Sequence, residues 1–193
     1  MTDPGPGDPK IDPGRGFELI AAQREWTGAI ISVGRERFRH ADGVQVSREK
    51  VWHPGAVGII PIDATHVWLT RQPREAAGLT ASLEIPAGKR DVDGEPPLRT
   101  AQRELGEEIG KRSGRWEELS VFLTSPGFSD ERVWLYVARD LEDDPDAEPE
   151  PGERIEIVPW PLDDLAGAVA ECVDSKSLIA LYWLMAERAT GRL

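Results

Sequence analysis

The chain has 193 residues, with 35 acidic against 23 basic side chains, a formal charge of −12, 39% hydrophobic residues and one cysteine. That length can bury a core without staples, and the acidic balance argues against nucleic acid as a partner, because phosphate backbones are held by basic surface. No apolar run approaches ~18 residues, so no membrane span is expected; no N-terminal segment reads as a secretory signal, and the lone Cys172 cannot close an internal disulfide, so a cytoplasmic protein with a structural Cys172 is expected.

Residues 1–16 hold four prolines and four glycines and read as a disordered tail. From 17 to 62, apolar and β-branched residues alternate with polar ones around turn signals such as Asp42-Gly43 and Pro54-Gly55, which predicts a β-rich N-terminal portion ahead of a second region over 63–193. Strands are expected at 67–70 and 83–85, then at 119–123 and 133–138 after an intervening helix. Residues 142–153 carry seven carboxylates and no Lys or Arg, the pattern of an exposed mobile loop. A strand at 154–158 and a short helix at 161–170 follow. Ser175 can cap a last helix whose Leu178, Ile179, Leu181, Tyr182 and Met185 would face the core. His40, His53 and His66 lack zinc-like spacing, and no serine sits in a G-x-S-x-G elbow.

The intervening helix carries the chemistry. Pro96 and Pro97 suit a first turn, Gly110 suits the left-handed position that ends a helix, and Leu98, Ala101, Leu105 and Ile109 form one apolar stripe. At about 100° per residue, Glu104 and Glu108 fall on the flank of that stripe, at the edge of the core, and Glu107 lies farther out. Like charges at these spacings repel by a few tenths of a kcal/mol each. Three carboxylates so placed call for a cation among them, and a hard divalent ion suits oxygen donors. Glu95, two turns before Arg103, is within reach of an ion pair that would pin the preceding loop to the helix.

Gly88, Glu95, Arg103, Glu104, Leu105, Glu107, Glu108 and Gly110 together resemble the signature of the Nudix hydrolase family, a glycine, a glutamate and then R-E-apolar-x-E-E-x-G. Two departures stand out: six residues rather than five separate Gly88 from Glu95, and Lys111 occupies a closing position usually aliphatic. Three flanking features resemble the ADP-ribose pyrophosphatase branch. They are R-Q-x-R from Arg71 to Arg74, E-I-P-A-G from Glu84 to Gly88, and S-P-G-F-S-D-E with Pro126 placed 16 residues after Gly110.

The resemblance implies an α/β protein of the Nudix fold, an α/β/α sandwich around a mixed β-sheet. It implies Mg²⁺, or Mn²⁺, on Glu104 and Glu108, with Glu107 assisting and the Ala87 carbonyl completing the site, and Arg103 and Glu95 as orienting groups. A glutamate of the late acidic loop would act on the attacking water, with Glu153 the best match and Glu150 next. Arg71 and Arg74 would grip phosphates, Glu131 would take the terminal ribose, Pro126 marks the substrate-side loop, and Trp26 would stack on adenine. The implied reaction splits ADP-ribose into AMP and ribose 5-phosphate, in a homodimer with exchanged N-terminal strands. Two alternatives remain at this point: another nucleoside diphosphate sugar or a dinucleotide as substrate, or a sensing module that binds nucleotide without turnover, against which the intact acidic set argues.

Overall fold

The computed structural model describes residues 16–149 and 152–193. The expected tail, apart from Gly16, and Glu150 lie outside the described residues. Among the described residues, ten strands and three α-helices follow in order: β1 (Phe17–Thr27), β2 (Ser32–His40), β3 (Gln45–Trp52), β4 (Ala56–Pro61), β5 (His66–Arg74), β6 (Leu79–Glu84), β7 (Ala87–Lys89), α1 (Pro97–Ile109), β8 (Lys111–Leu123), β9 (Arg132–Asp143), β10 (Glu156–Pro161), α2 (Leu165–Glu171) and α3 (Ser175–Ala189). No helix among the described residues is long and apolar enough to cross a membrane.

A mixed sheet in the order β7-β4-β9-β8 forms the centre, with β4 and β9 parallel and the other pairs antiparallel. Alternation along its strands feeds two cores. Val57, Ile59, Tyr136 and Ala138 turn to α1, meeting Ala101, Leu105 and Ile109. Ile60, Leu135 and Val137 turn to the opposite face, where the antiparallel sheet β10-β5-β6 and the helices α2 and α3 cover them. Because β4 is covered on both faces, its apolar residues run on without polar breaks.

β1, β2 and β3 make a separate antiparallel sheet. It is tied to the core by the 125–130 loop, where Val51 N–H donates to Phe128 O at 2.7 Å and His53 N–H to Asp130 Oδ1 at 3.0 Å. β4 parts from this portion and joins the central sheet, so the break in pairing falls between Trp52 and Ala56, ahead of the 62/63 boundary that alternation and turn signals suggest.

Several element expectations need correction. β8 begins directly after α1, at Lys111, and β9 runs on to Asp143, so the acidic segment opens inside a strand. β10 starts at Glu156 and takes in Pro161, which the sequence placed in a helix; α2 begins at Leu165 after a 3₁₀ turn. The cap of α3 is Asp174, whose side chain accepts the Ser177 N–H, and Ser175 is the first helical residue. The buried face of α3 is Ser177, Ala180, Leu181 and Leu184, whereas Ile179, Tyr182 and Met185 are exposed. An apolar-rich helix offers two stripes, and the small residues choose the side that approaches the sheet. Cys172 is buried in the core.

Candidate active site

α1 starts at Pro97 and ends on Gly110, whose φ of 64° is the left-handed conformation that lets its N–H return to the Gly106 and Leu105 carbonyls. Packing the Leu105 stripe on β4 and β9 carries Glu104 and Glu108 inward, to 7% and 5% exposure. Glu104 lies across the backbone of Gly88: a Cβ built there would meet its Cδ at 1.9 Å. The glycine that opens the signature is therefore a cradle for this carboxylate. Glu108 accepts the Ala87 N–H at 3.0 Å, so β7 touches both acids through two consecutive residues.

Burial dominates the acidity of this pair. Desolvation raises Glu108 to about 8, opposed by the Ala87 N–H and helped by the charges of Glu104 and Glu153. Desolvation also raises Glu104 to about 7, opposed by Arg103 and helped by Glu107 and Glu153. Glu153 is exposed, and its charge adds to the upward shift of both acids.

Arg103 joins the inner acid Glu104, at 2.9 Å, to Glu107, at 2.5 Å, and Glu95, at 3.9 Å. Glu95 also accepts the Thr100 hydroxyl at 2.8 Å, and its carbonyl accepts Arg90 Nη2 at 3.2 Å, which fixes the loop ahead of α1. No three His, Cys, Asp or Glu side chains among the described residues converge tightly enough to enclose an ion as they stand. The donor set nonetheless fits a hard cation, because two buried, crowded carboxylates gain most from a charge placed between them and a strand edge.

The remaining expected residues divide. Arg74 donates from Nε and Nη2 to Glu84 at 2.8 and 2.7 Å, and its charge is felt by Glu108. Arg71 is engaged elsewhere, by Glu171 and, at 3.7 Å, by Glu156. Glu131 accepts the Thr124 hydroxyl at 2.7 Å and stands 3.7 Å from His53 Nδ1. Pro126 is exposed in the turn that Ser125 closes by accepting the Phe128 and Ser129 N–H groups. Trp26, on β1, is 57% exposed with its indole over Gly28, so it is available as a stacking face rather than spent in the core.

Two residues of this region carry no local signal of a role: Glu84 stands in the E-I-P-A-G run without a function of its own, and Lys176 belongs to no motif. Lys176 Nζ bonds Glu84 at 2.8 Å and Asp174 at 2.9 Å. Ninety-two residues separate Lys176 from Glu84, and no local pattern could have joined them.

The NUDIX domain model matches residues 52–181. Over 128 residues the chain is 42% identical to the ADP-ribose pyrophosphatase of Mycobacterium tuberculosis, an overlap of 66% of this chain and 61% of that protein. It is 33% identical to the ADP-ribose pyrophosphatase of Bacillus subtilis, covering 89% of this chain and 94% of that one. It is 34% identical to a methanol dehydrogenase activator of Bacillus methanolicus, covering 91% and 97%. A solved structure described as an ADP compounds hydrolase superposes with a TM-score of 0.78 at 23% identity, over 92% of this chain and 96% of that one, which supports the fold. A domain model matching from the end of β3 into α3, with the acidic helix, its glycine cradle and its left-handed cap in place, makes this chain a member of the Nudix hydrolase family.

Proposed function

We propose that this protein hydrolyses the pyrophosphate bond of ADP-ribose, giving AMP and ribose 5-phosphate. The observation that carries the reading is the buried pair Glu104 and Glu108 set against Ala87 and Gly88, in a chain similar to two proteins named ADP-ribose pyrophosphatase. A divalent cation, Mg²⁺ or Mn²⁺, held by Glu104 and Glu108 with help from Glu107 and the Ala87 carbonyl, would supply neutralising charge at the phosphoryl oxygens.

The chain's own residues do the rest. Glu153 takes the proton of the water that attacks phosphorus, a role suited to an exposed carboxylate whose charge is felt by both acids. Glu150, the other candidate for that proton, lies outside the described residues. Arg103, through its contacts with Glu104, Glu107 and Glu95, keeps the acidic groups in register. Arg74 meets the diphosphate with a planar fork, in preference to Arg71, which two carboxylates already hold. Glu131 receives the terminal ribose from the loop that contains Pro126, and Trp26 stacks on adenine.

We also assign a homodimer that exchanges the N-terminal sheet, because Phe17, Leu19, Trp26 and Val33 leave apolar surface exposed on β1 and β2. Light scattering on the purified chain gives its mass; a monomer at micromolar concentration would remove this assignment. A cytoplasmic setting accords with a single buried cysteine, and cell fractionation checks it. The substrate is tested by a panel of ADP-ribose, other nucleoside diphosphate sugars and dinucleotides, each scored by phosphate release after adding a phosphomonoesterase. Preference for ADP-ribose supports the reading, and turnover of the others at equal or higher efficiency replaces it.

A further inference from the structure

Arg74 is held in an unusual way for a residue that is to receive a ligand. Glu84, its partner, has a side chain only 3% exposed, while Arg74 itself is 41% exposed. The bidentate contact uses Nε and Nη2, and Nη1 is engaged by neither oxygen of Glu84. A guanidinium gripped along one edge has its rotation fixed and presents its other N–H groups in one direction.

Glu84 is in turn fixed from the far end of the chain. Its Oε2 accepts from Lys176 Nζ as well as from Arg74, and Lys176 is braced by Asp174 Oδ1. Asp174 Oδ2 accepts both the N–H and the hydroxyl of Ser177, and that hydroxyl accepts the Ile85 N–H at 2.8 Å. The ring of contacts thus closes on the residue after Glu84, two positions before Ala87, which donates to Glu108. Two carboxylates and two cations balance, and Glu84 stays ionised: burial opposes this, but the Arg74 and Lys176 bonds and charges overcome it and bring Glu84 down to about 2. Buried ion pairs are seldom a net source of stability compared with apolar packing. Four charged groups joined by three ion pairs around the buried Glu84, with Arg74 felt by Glu108, therefore point to a role in the chemistry.

We infer that Glu84 and Lys176 are positioning residues: together they lock Arg74 so that its Nη1 edge, which Glu84 does not engage, meets an anionic oxygen of the diphosphate substrate. This rests on the reading of the site as a diphosphate hydrolase. Its consequence is that Glu84 acts only through Arg74, and on substrate affinity rather than on turnover.

The test is a double-mutant cycle of Glu84→Gln and Arg74→Ala, run with whichever diphosphate of the panel the wild type turns over best. Calorimetric binding of the same compound in EDTA gives a second readout that needs no metal and no turnover. Glu84→Gln should raise KM and the metal-free Kd about tenfold, the scale of a charge-assisted hydrogen bond, with kcat within about threefold. Adding Glu84→Gln to Arg74→Ala should change neither further. Lys176→Gln should weaken binding in the same sense, and Lys176→Arg should restore it; this second pair decides the matter if Glu84→Gln fails to fold, as judged by its melting curve. Losses that multiply in the double variant, or a fall in kcat at unchanged KM, overturn the inference. Wild-type preference for another diphosphate would displace ADP-ribose as substrate and leave this cycle readable, whereas a wild type that neither binds nor cleaves any diphosphate overturns both.

Discussion

Burial disfavours the ionised form of Glu108, and the neighbouring charges of Glu104 and Glu153 add to the effect. A carboxylate raised from 4.5 to about 8 contributes nothing unfavourable below the unfolded value, then destabilises the fold progressively as pH rises, with the full cost present above about 8. Glu108→Gln keeps an acceptor for the Ala87 N–H and removes the charge. It should melt at the same temperature as the wild type at pH 5 and at a higher one at pH 9 in EDTA, while hydrolysis falls by a factor on the order of 10² or more. An unchanged rate with metal stripped would remove the assigned mechanism. Gly88→Ala separates fold from site in a different manner. The new methyl collides with the end of a flexible side chain, Glu104, rather than with backbone, so Glu104 can swing aside. Melting should change little, on the order of 1 kcal/mol or less, whereas Mn²⁺ binding followed by electron paramagnetic resonance should weaken. Retained affinity would show that Glu104 need not lie where the glycine admits it.

At the scale of elements, α1 is positioned by its apolar stripe and stopped by its cap. Leu105 is fully buried among Val57, Ile59 and Tyr136 of the two central strands and their neighbours. Leu105→Ala should cost 2–5 kcal/mol, about what core truncations of this size cost. Because the same stripe sets the depth of Glu104 and Glu108, the variant should lose divalent-ion affinity together with stability, in contrast to Gly88→Ala. Denaturant titration and ion binding on one preparation check the pairing of the two losses. α1 was readable from sequence because its signals are local: proline at the start, glycine at the end, apolar residues at fixed steps between. α3 was less so. Its apolar residues are abundant enough to offer Ile179, Tyr182 and Met185 as one face and Ala180, Leu181 and Leu184 as another, and only contact with the core distinguishes them. The strand limits at Lys111, Asp143 and Pro161 were missed for a related reason: pairing partners, not the residues themselves, extend those strands.

For the whole molecule, a formal charge of −12 and two buried acids raised to about 7 and about 8 mean that, on the proposed reading of the site, protons and divalent ions would compete for one place. Apparent Mg²⁺ affinity should therefore climb between pH 6 and about 8 and level off above it, and the thermal stabilisation by saturating Mg²⁺ should grow over the same interval. A flat profile would mean that Glu104 and Glu108 are already ionised in the metal-free protein. Sequence alone determined that this is a Nudix protein and which helix carries its acids, because the spacing of Arg103, Glu104, Glu107, Glu108 and Gly110 is a property of one turn of chain after another. By resemblance it also offered Glu153, with Glu150 next, as the loop glutamate that acts on the attacking water. What the tertiary structure decided is how those acids are surrounded: Gly88 beneath Glu104, Ala87 against Glu108, and Lys176 brought to Glu84 so that Arg74 is gripped while Arg71 is taken by Glu171. These contacts join segments up to a hundred residues apart, and pairing at that distance follows from sheet order and helix packing, which no local spacing encodes.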